Sequence, residues 1–85
     1  MAAEMSDKSY IRITDPNLAL NGKKMYLITG TGASNTDYFT MNRLTAVEGC
    51  VLTSTAGTAG TFTIATNVIT MTNGDETFSG FAWGY

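Results

Sequence analysis

The sequence predicts an all-β fold, a small antiparallel β-sandwich or barrel of about six to eight short strands that ends in a C-terminal β-meander. β-branched and aromatic residues recur along the chain, and both types favour strands. No twelve-residue window has the apolar period of a capped amphipathic helix. Short apolar runs are separated by turn dipeptides such as Asn21-Gly22 and Asn73-Gly74, which is typical of antiparallel sheets.

The first elements are an arm and a hairpin. Residues 1–8 are small, polar and charged, and we expect a flexible N-terminal arm ahead of a single β domain of residues 9–85. The first strand follows the arm directly. Asp15-Pro16-Asn17 ends it, because proline fixes φ and the flanking side chains bond to nearby backbone. Asn21-Gly22 then predicts a tight hairpin into a return strand over residues 24–29.

The remaining chain reads as a polar loop followed by strands. Residues 30–37 have no apolar period and are predicted to be a flexible connection. Thr66-Asn67 and Asn73-Gly74 are predicted to link the last three strands into two consecutive hairpins, which form the meander. The predicted strands after the loop cover residues 38–45, 47–55, 61–65, 68–72 and 76–85.

The loop also raises the question of a nucleotide site. The segment ITGTGASN follows a strand and contains Gly30-x-Gly32, as in a dinucleotide-binding turn. That motif needs a third glycine and a helix whose N-terminus faces the phosphate. The third position is Asn35 and no helical pattern follows. The sequence therefore predicts no nucleotide cofactor.

Composition limits the partners. Of the 85 residues, 14% are charged and 44% are hydrophobic, whereas about 25% are charged in an ordinary soluble domain. A surface that is neutral and polar favours a chain covered by partner proteins. The net charge is −2 and the only basic doublet is Lys23-Lys24, so nucleic acid is not expected to bind.

Cellular location follows from the cysteine and from the opening residues. One cysteine, Cys50, is present, and it allows no intrachain disulfide, which predicts synthesis in a reducing cytoplasm. The opening MAAEMSDKSY lacks the basic and apolar segments of a signal peptide. The longest uncharged stretch, residues 49–74, is interrupted by Thr, Ser, Gly and Asn, so no membrane span is expected.

The residue types give no basis for catalysis. The chain has no histidine, which removes the usual general base and zinc ligand. Cys50 lies beside apolar residues with no basic neighbour, and a buried structural thiol is the favoured interpretation. Asp75 and Glu76 could join Asp37 in a cation site, but solvated hairpin charges are favoured because adjacent strand residues point to opposite faces. We expect no enzyme, no cofactor and no metal.

Two features point to association instead. The uncharged span of residues 49–74 alternates threonine with apolar residues, so it forms either a solvated sheet face or an interface. The last eight residues contain Phe78, Phe81, Trp83 and Tyr85, with the last three on one face of a strand. These aromatic side chains form either the core of the protein or an anchor in a neighbouring subunit.

The segment GTFTIATNVITMT, then Asn73-Gly74, then SGFAWGY resembles the small virion structural proteins of tailed bacteriophages. Within that group the chain is most similar to capsid decoration, or cement, proteins. The resemblance implies a β-rich subunit on the outer surface of an icosahedral head, bound across joints between copies of the major capsid protein. It implies a trimer or other homo-oligomer and no membrane partner.

Other functions remain open at this point. A phage tail, baseplate or fibre-associated subunit is the nearest alternative, and a small β-barrel ligand-binding module is a more distant one. The expected partner contacts lie in the arm, in the first strand and at the C-terminus. They are Met1, Met5, Tyr10, Phe81, Trp83 and Tyr85.

Overall fold

The chain folds into two antiparallel sheets, which confirms the all-β prediction. The structure, a computed structural model, describes residues 3–13 and 23–85. The predicted turns at Asp15-Pro16-Asn17 and Asn21-Gly22 lie outside these residues. The seven strands are β1 (Ser6–Ile13), β2 (Lys24–Thr31), β3 (Tyr38–Thr40), β4 (Val47–Ser54), β5 (Phe62–Ala65), β6 (Val68–Met71) and β7 (Thr77–Gly84).

The larger sheet has the strand order β1-β2-β7-β4, and the smaller has the order β3-β6-β5. In the larger sheet β7 is central and pairs with β2 on one side and β4 on the other. Strands β5 and β6 form the predicted hairpin around Thr66-Asn67, with Ala65 paired to Val68. Thr66 accommodates this turn with a φ of 55°.

The predicted C-terminal meander is wrong in its second half. Strand β6 pairs with β3 and β5, while β7 lies in the other sheet. The residues between β6 and β7 therefore cross between sheets instead of forming a hairpin. Gly74 does not have the positive φ of a type I′ turn. A side chain at Gly74 would collide with the carbonyl oxygen of Ser34, so this glycine permits close packing of two loops.

The boundary of the domain also needs correction, because residues 3–8 belong to it. Strand β1 begins at Ser6, and Met5 is buried in the core. The Met5 amide donates to the Tyr38 carbonyl, and the Tyr38 amide donates to the carbonyl of Ala3. The chain then enters the larger sheet through an irregularity at Asp7, whose φ is 48°. Residues 3–5 therefore join β3 to β1.

The opposite seam between the sheets is held by the edge of β4. The Leu52 carbonyl accepts from Gly60, and the Val47 amide donates to the Thr66 carbonyl. Because Gly60 and Thr66 flank β5, these bonds connect the two sheets at both ends of that strand. The sandwich is thus nearly closed into a barrel.

The core fills the space between the sheets. Alternate residues of each strand point inward, as the period of two requires. Tyr10 and Phe62 pack against this cluster from its margin. The buried apolar residues are Met5, Tyr26, Ile28, Phe39, Met41, Leu44, Val47, Cys50, Leu52, Ile69, Met71, Phe78 and Ala82.

The loop after β2 is shorter and better held than predicted. Strand β2 continues through Gly30 to Thr31. A side chain on Gly30 would collide with the Phe39 ring, so Gly30 allows a large ring to fill the core. Residues 41–44 form a turn, in which the Leu44 amide donates to the Met41 carbonyl, and they do not continue the strand predicted over residues 38–45.

Asp37 fixes the connection between β2 and β3. One carboxylate oxygen accepts from the Ala33 amide at 2.6 Å and the Ser34 amide at 3.2 Å. The other accepts from the Ser34 hydroxyl at 2.7 Å and the Ala3 amide at 3.0 Å. These bonds stabilise the charged form and lower the pKa of Asp37 to about 2. The residue therefore ties the loop to the N-terminal segment.

Candidate functional site

The candidate site is the outer face of the larger sheet, which points away from the core. The strand register places its side chains in rows that run across the sheet. Two adjacent rows are apolar, and we call them the apolar band. The first row is Ile11, Leu27, Phe81 and Val51, and the second is Ile13, Met25, Trp83 and Gly49.

The first row of the apolar band is open to solvent. Ile11 is 58% exposed and Val51 is 49% exposed, and these two residues stand on the outer strands. Leu27 and Phe81, on the two middle strands, are also exposed. Three strand spacings of about 4.8 Å separate the ends of the row, so it is about 14 Å wide. Large contiguous apolar patches on small proteins are typical of interaction sites.

The second row is organised by Trp83. A side chain at Gly49 would collide with the Trp83 ring, so the indole covers this glycine of β4. The indole also leans on Phe81, with ring centroids 6.3 Å apart and planes tilted by 38°. Aromatic pairs in this range attract each other beyond their buried area. The two rings therefore pack against each other within the band.

Tyr85 extends the band at its end. Its ring is half exposed, and the Lys23 ammonium lies 4.5 Å from the ring centroid, which is a favourable cation–π distance. The same ammonium is 3.0 Å from the Glu48 carboxylate. The backbone of Tyr85 exchanges hydrogen bonds with Ala46. The charge beside the band is therefore paired, and the terminal ring is held in place.

The other half of the outer face carries hydroxyl groups. The third row is Ser9, Thr29, Ser79 and Thr53, and the fourth includes Thr31 and Thr77. The Thr31 and Thr77 hydroxyl oxygens are 3.0 Å apart and hydrogen-bonded. These four rows contain no charged side chain. The outer face is thus divided into an apolar half and a neutral polar half.

Three of the predicted contact residues lie together on this face. Phe81 and Tyr85 are exposed and Trp83 is partly buried, with Phe78 on the opposite, inner face. The aromatic cluster is therefore split, since Phe78 belongs to the core and the other three lie outside it.

The N-terminal contact residues are placed differently. Met5 is only 1% exposed, so it is a core residue, and expecting it at the surface was wrong. Tyr10 points inward from β1, and its hydroxyl is buried. Met1 lies outside the residues that the structure describes.

The aliphatic part of the band was not predicted from the sequence. Ile11, Leu27 and Val51 come from three strands that are distant in sequence, and only the register brings them beside Phe81. A signal was present in two of the strands, because apolar residues occupy both alternating positions in MYLI of β2 and in CVL of β4. Such strands have no polar face, which indicates that both faces meet apolar surroundings.

The residues considered above for catalysis or cation binding have structural roles in the fold. Cys50 points into the core, and burial raises the pKa of its thiol to about 12, so the reactive thiolate is disfavoured. The Asp37 carboxylate accepts hydrogen bonds from the chain itself. Within residues 3–13 and 23–85, no three acidic or cysteine residues group as metal ligands would.

No helix among the described residues is long and apolar enough to cross a bilayer. The chain matches no protein-family model, no curated protein and no solved structure. The fold and its outer face therefore define the class as a small, nearly closed β-sandwich with one exposed apolar sheet face.

Proposed function

We propose that this chain is a structural subunit of a virion, a capsid decoration or cement protein that stabilises the icosahedral head of a tailed bacteriophage. The observation that carries the proposal is the apolar band across all four strands of the larger sheet. Its partners are the major capsid protein and further copies of the chain. It is made in the host cytoplasm and resides on the capsid surface.

The band suits a role that depends on buried area alone. A cement protein carries out no reaction, and it stabilises a shell because it binds the closed joint and not the open one. The face of one sheet packs well on the face of another. The paired rings of Phe81 and Trp83 supply the aromatic centre that strong protein interfaces share.

Neutrality of the outer face supports a protein partner over a polyanion. Its four rows contain no charged residue, and Lys23 at the margin is paired with Glu48. A phosphate backbone would need a cluster of free basic side chains. An apolar contact with neutral surroundings has the composition of a lasting subunit interface.

A carbohydrate-binding module is the second candidate, because the exposed rings of Phe81 and Tyr85 could stack on sugars. A sugar also needs hydrogen-bonding groups around the ring that it covers. Across the sheet Phe81 is flanked by Leu27 and Val51, which offer none, so a sugar stacked on this ring would find hydroxyl groups only on its other side, in the row of Ser79. The band therefore favours a protein surface.

The test is co-sedimentation of the purified chain with phage heads stripped of accessory proteins, with tail tubes as a second arm. Saturable binding at a fixed copy number per major capsid subunit, with a raised melting temperature of the particle, is expected for heads. Saturable binding to tubes alone would replace the head with the tail. A chain that stays in the supernatant in both arms contradicts the proposal.

A further inference from the structure

The seam between β1 and β3 is closed at one end and open at the other. Residues 3–5 bond to Tyr38 at the closed end. Farther along β1, the chain after β3 turns away at residues 41–44 and leaves a cavity of about 100 Å³. Its lining residues are Tyr10, Tyr26, Met41, Asn42 and Arg43.

The cavity contains a polar group without a partner. The Tyr10 hydroxyl is buried and makes no hydrogen bond within the part of the chain that the structure describes. Burial raises the pKa of Tyr10 to about 12, so the hydroxyl keeps its proton and offers it to an acceptor. A buried polar group is normally satisfied. An acceptor inside the cavity would remove this unfavourable state.

Two further lining residues supply hydrogen-bond donors, although the Asn42 amide and the Tyr26 hydroxyl can also accept. Arg43 contributes a guanidinium that forms no ion pair with another described residue, and Asn42 contributes an amide. Among the described residues, no carboxylate lines the cavity. A guanidinium presents its N–H groups in a planar fork that matches the two oxygens of a carboxylate.

The volume of the cavity and the charge near it further restrict the class of ligand that could bind. A single water needs only about 10–15 Å³, so the cavity has room for a group of several atoms. Glu4 is near enough to raise the pKa of Tyr10 through its negative charge, although that is a smaller effect than burial. Its carboxylate is paired with Lys8 at 2.8 Å. A residual negative charge nearby favours a singly charged ligand over a phosphate dianion.

We propose that the open seam between β1 and the turn after β3 is a binding site for a carboxylate, held by the Arg43 guanidinium and the Tyr10 hydroxyl. Met41 and the ring of Tyr26 border the same cavity, and their apolar surface suits the aliphatic part of a small acid or of an acidic side chain. If the carboxylate belongs to a neighbouring subunit, the site rests on the proposed function. If it belongs to a free acid, the site stands without it.

The test is a titration of the isotope-labelled chain with sodium acetate, followed by nuclear magnetic resonance, against sodium chloride at equal ionic strength. We expect saturable shifts confined to Arg43, Asn42 and Tyr10. Arg43→Gln should abolish them. Lys23→Gln is the charge control, because it removes one positive charge from a residue that lies beside Tyr85 and Glu48 and does not line the cavity.

A second variant and a second probe complete the design. Tyr10→Phe removes only the unpaired hydroxyl and should weaken acetate binding about fivefold. A blocked glutamate, acetyl-Glu-amide, binding more tightly than acetate would indicate an acidic side chain as the source. Equal or weaker binding would indicate a free acid. Shifts that do not saturate, or that persist in Arg43→Gln, would overturn the proposal and leave a cavity filled by water.

Discussion

At the scale of single residues, Gly30 of the ITGTGASN segment has a role in packing, and Asp37, just after the segment, has a role in loop geometry. Gly30 admits the Phe39 ring, and Asp37 collects four donors. The sequence shows that position 30 is a glycine and so leaves space for a neighbouring group. It does not reveal which ring occupies the space, because Phe39 reaches Gly30 only after β3 joins the other sheet.

Asp37 should make the protein sensitive to acid. Its pKa is lowered to about 2 in the fold from an ordinary value of 3.8, so its stabilising effect is present above pH 3.8 and is lost as the pH falls towards 2. Asp37→Asn places an amide where donors already converge. We expect its melting temperature at pH 7 to be lower by about 5 °C or more.

Thermal unfolding followed by circular dichroism from pH 7 to pH 2 measures both effects. The stability of the variant should change less than that of the wild type between pH 4 and pH 2. If the stabilities of the two proteins fell in parallel as the pH was lowered, the charged Asp37 carboxylate would not be what stabilises the fold.

At the scale of elements, the positions of the strands along the chain were more predictable than their pairing in the sheets. Strand β4 was predicted over residues 47–55 and is Val47–Ser54, because its apolar and polar residues are bounded by turn residues. The change of sheet between β6 and β7 was not predictable from Asn73-Gly74. That dipeptide has the composition of a hairpin turn, and the packing of Gly74 against the loop at Ser34 decides the outcome.

The N-terminal segment gives the clearest test at this scale. Met5 is buried in the core, whereas the sequence predicted a flexible arm over residues 1–8. Met5→Ala should lower the free energy of unfolding by about 2–5 kcal/mol, as truncation of a buried methionine does. Urea unfolding measures this change.

Met25, on the outer face, is a useful comparison, since Met25→Ala makes the same chemical change at a partly exposed position. It should cost less than Met5→Ala. If both variants unfold at the same urea concentration as the wild type, residues 3–5 do not close the seam.

At the scale of the whole molecule, the apolar band depends on the strand order. The sequence identified Phe81, Trp83 and Tyr85 because they are neighbours in one strand. Ile11, Leu27 and Val51 joined them only through the order β1-β2-β7-β4. The pattern of a single strand therefore predicts which of its own residues lie on the outer face. It does not predict which residues of the other strands lie beside them.

The central claim is that the apolar band is the surface through which this chain joins an assembly, and the most direct measurement compares Ile11→Thr with Ile64→Thr in co-sedimentation with stripped heads. Both residues are exposed isoleucines in strands, but only Ile11 belongs to the band. Losing apolar contact area at Ile11 should weaken binding by about 1.4 kcal/mol, or tenfold. Ile64→Thr should bind as the wild type does. Equal binding by the wild type and both variants, or equal weakening by the two variants, would contradict the claim.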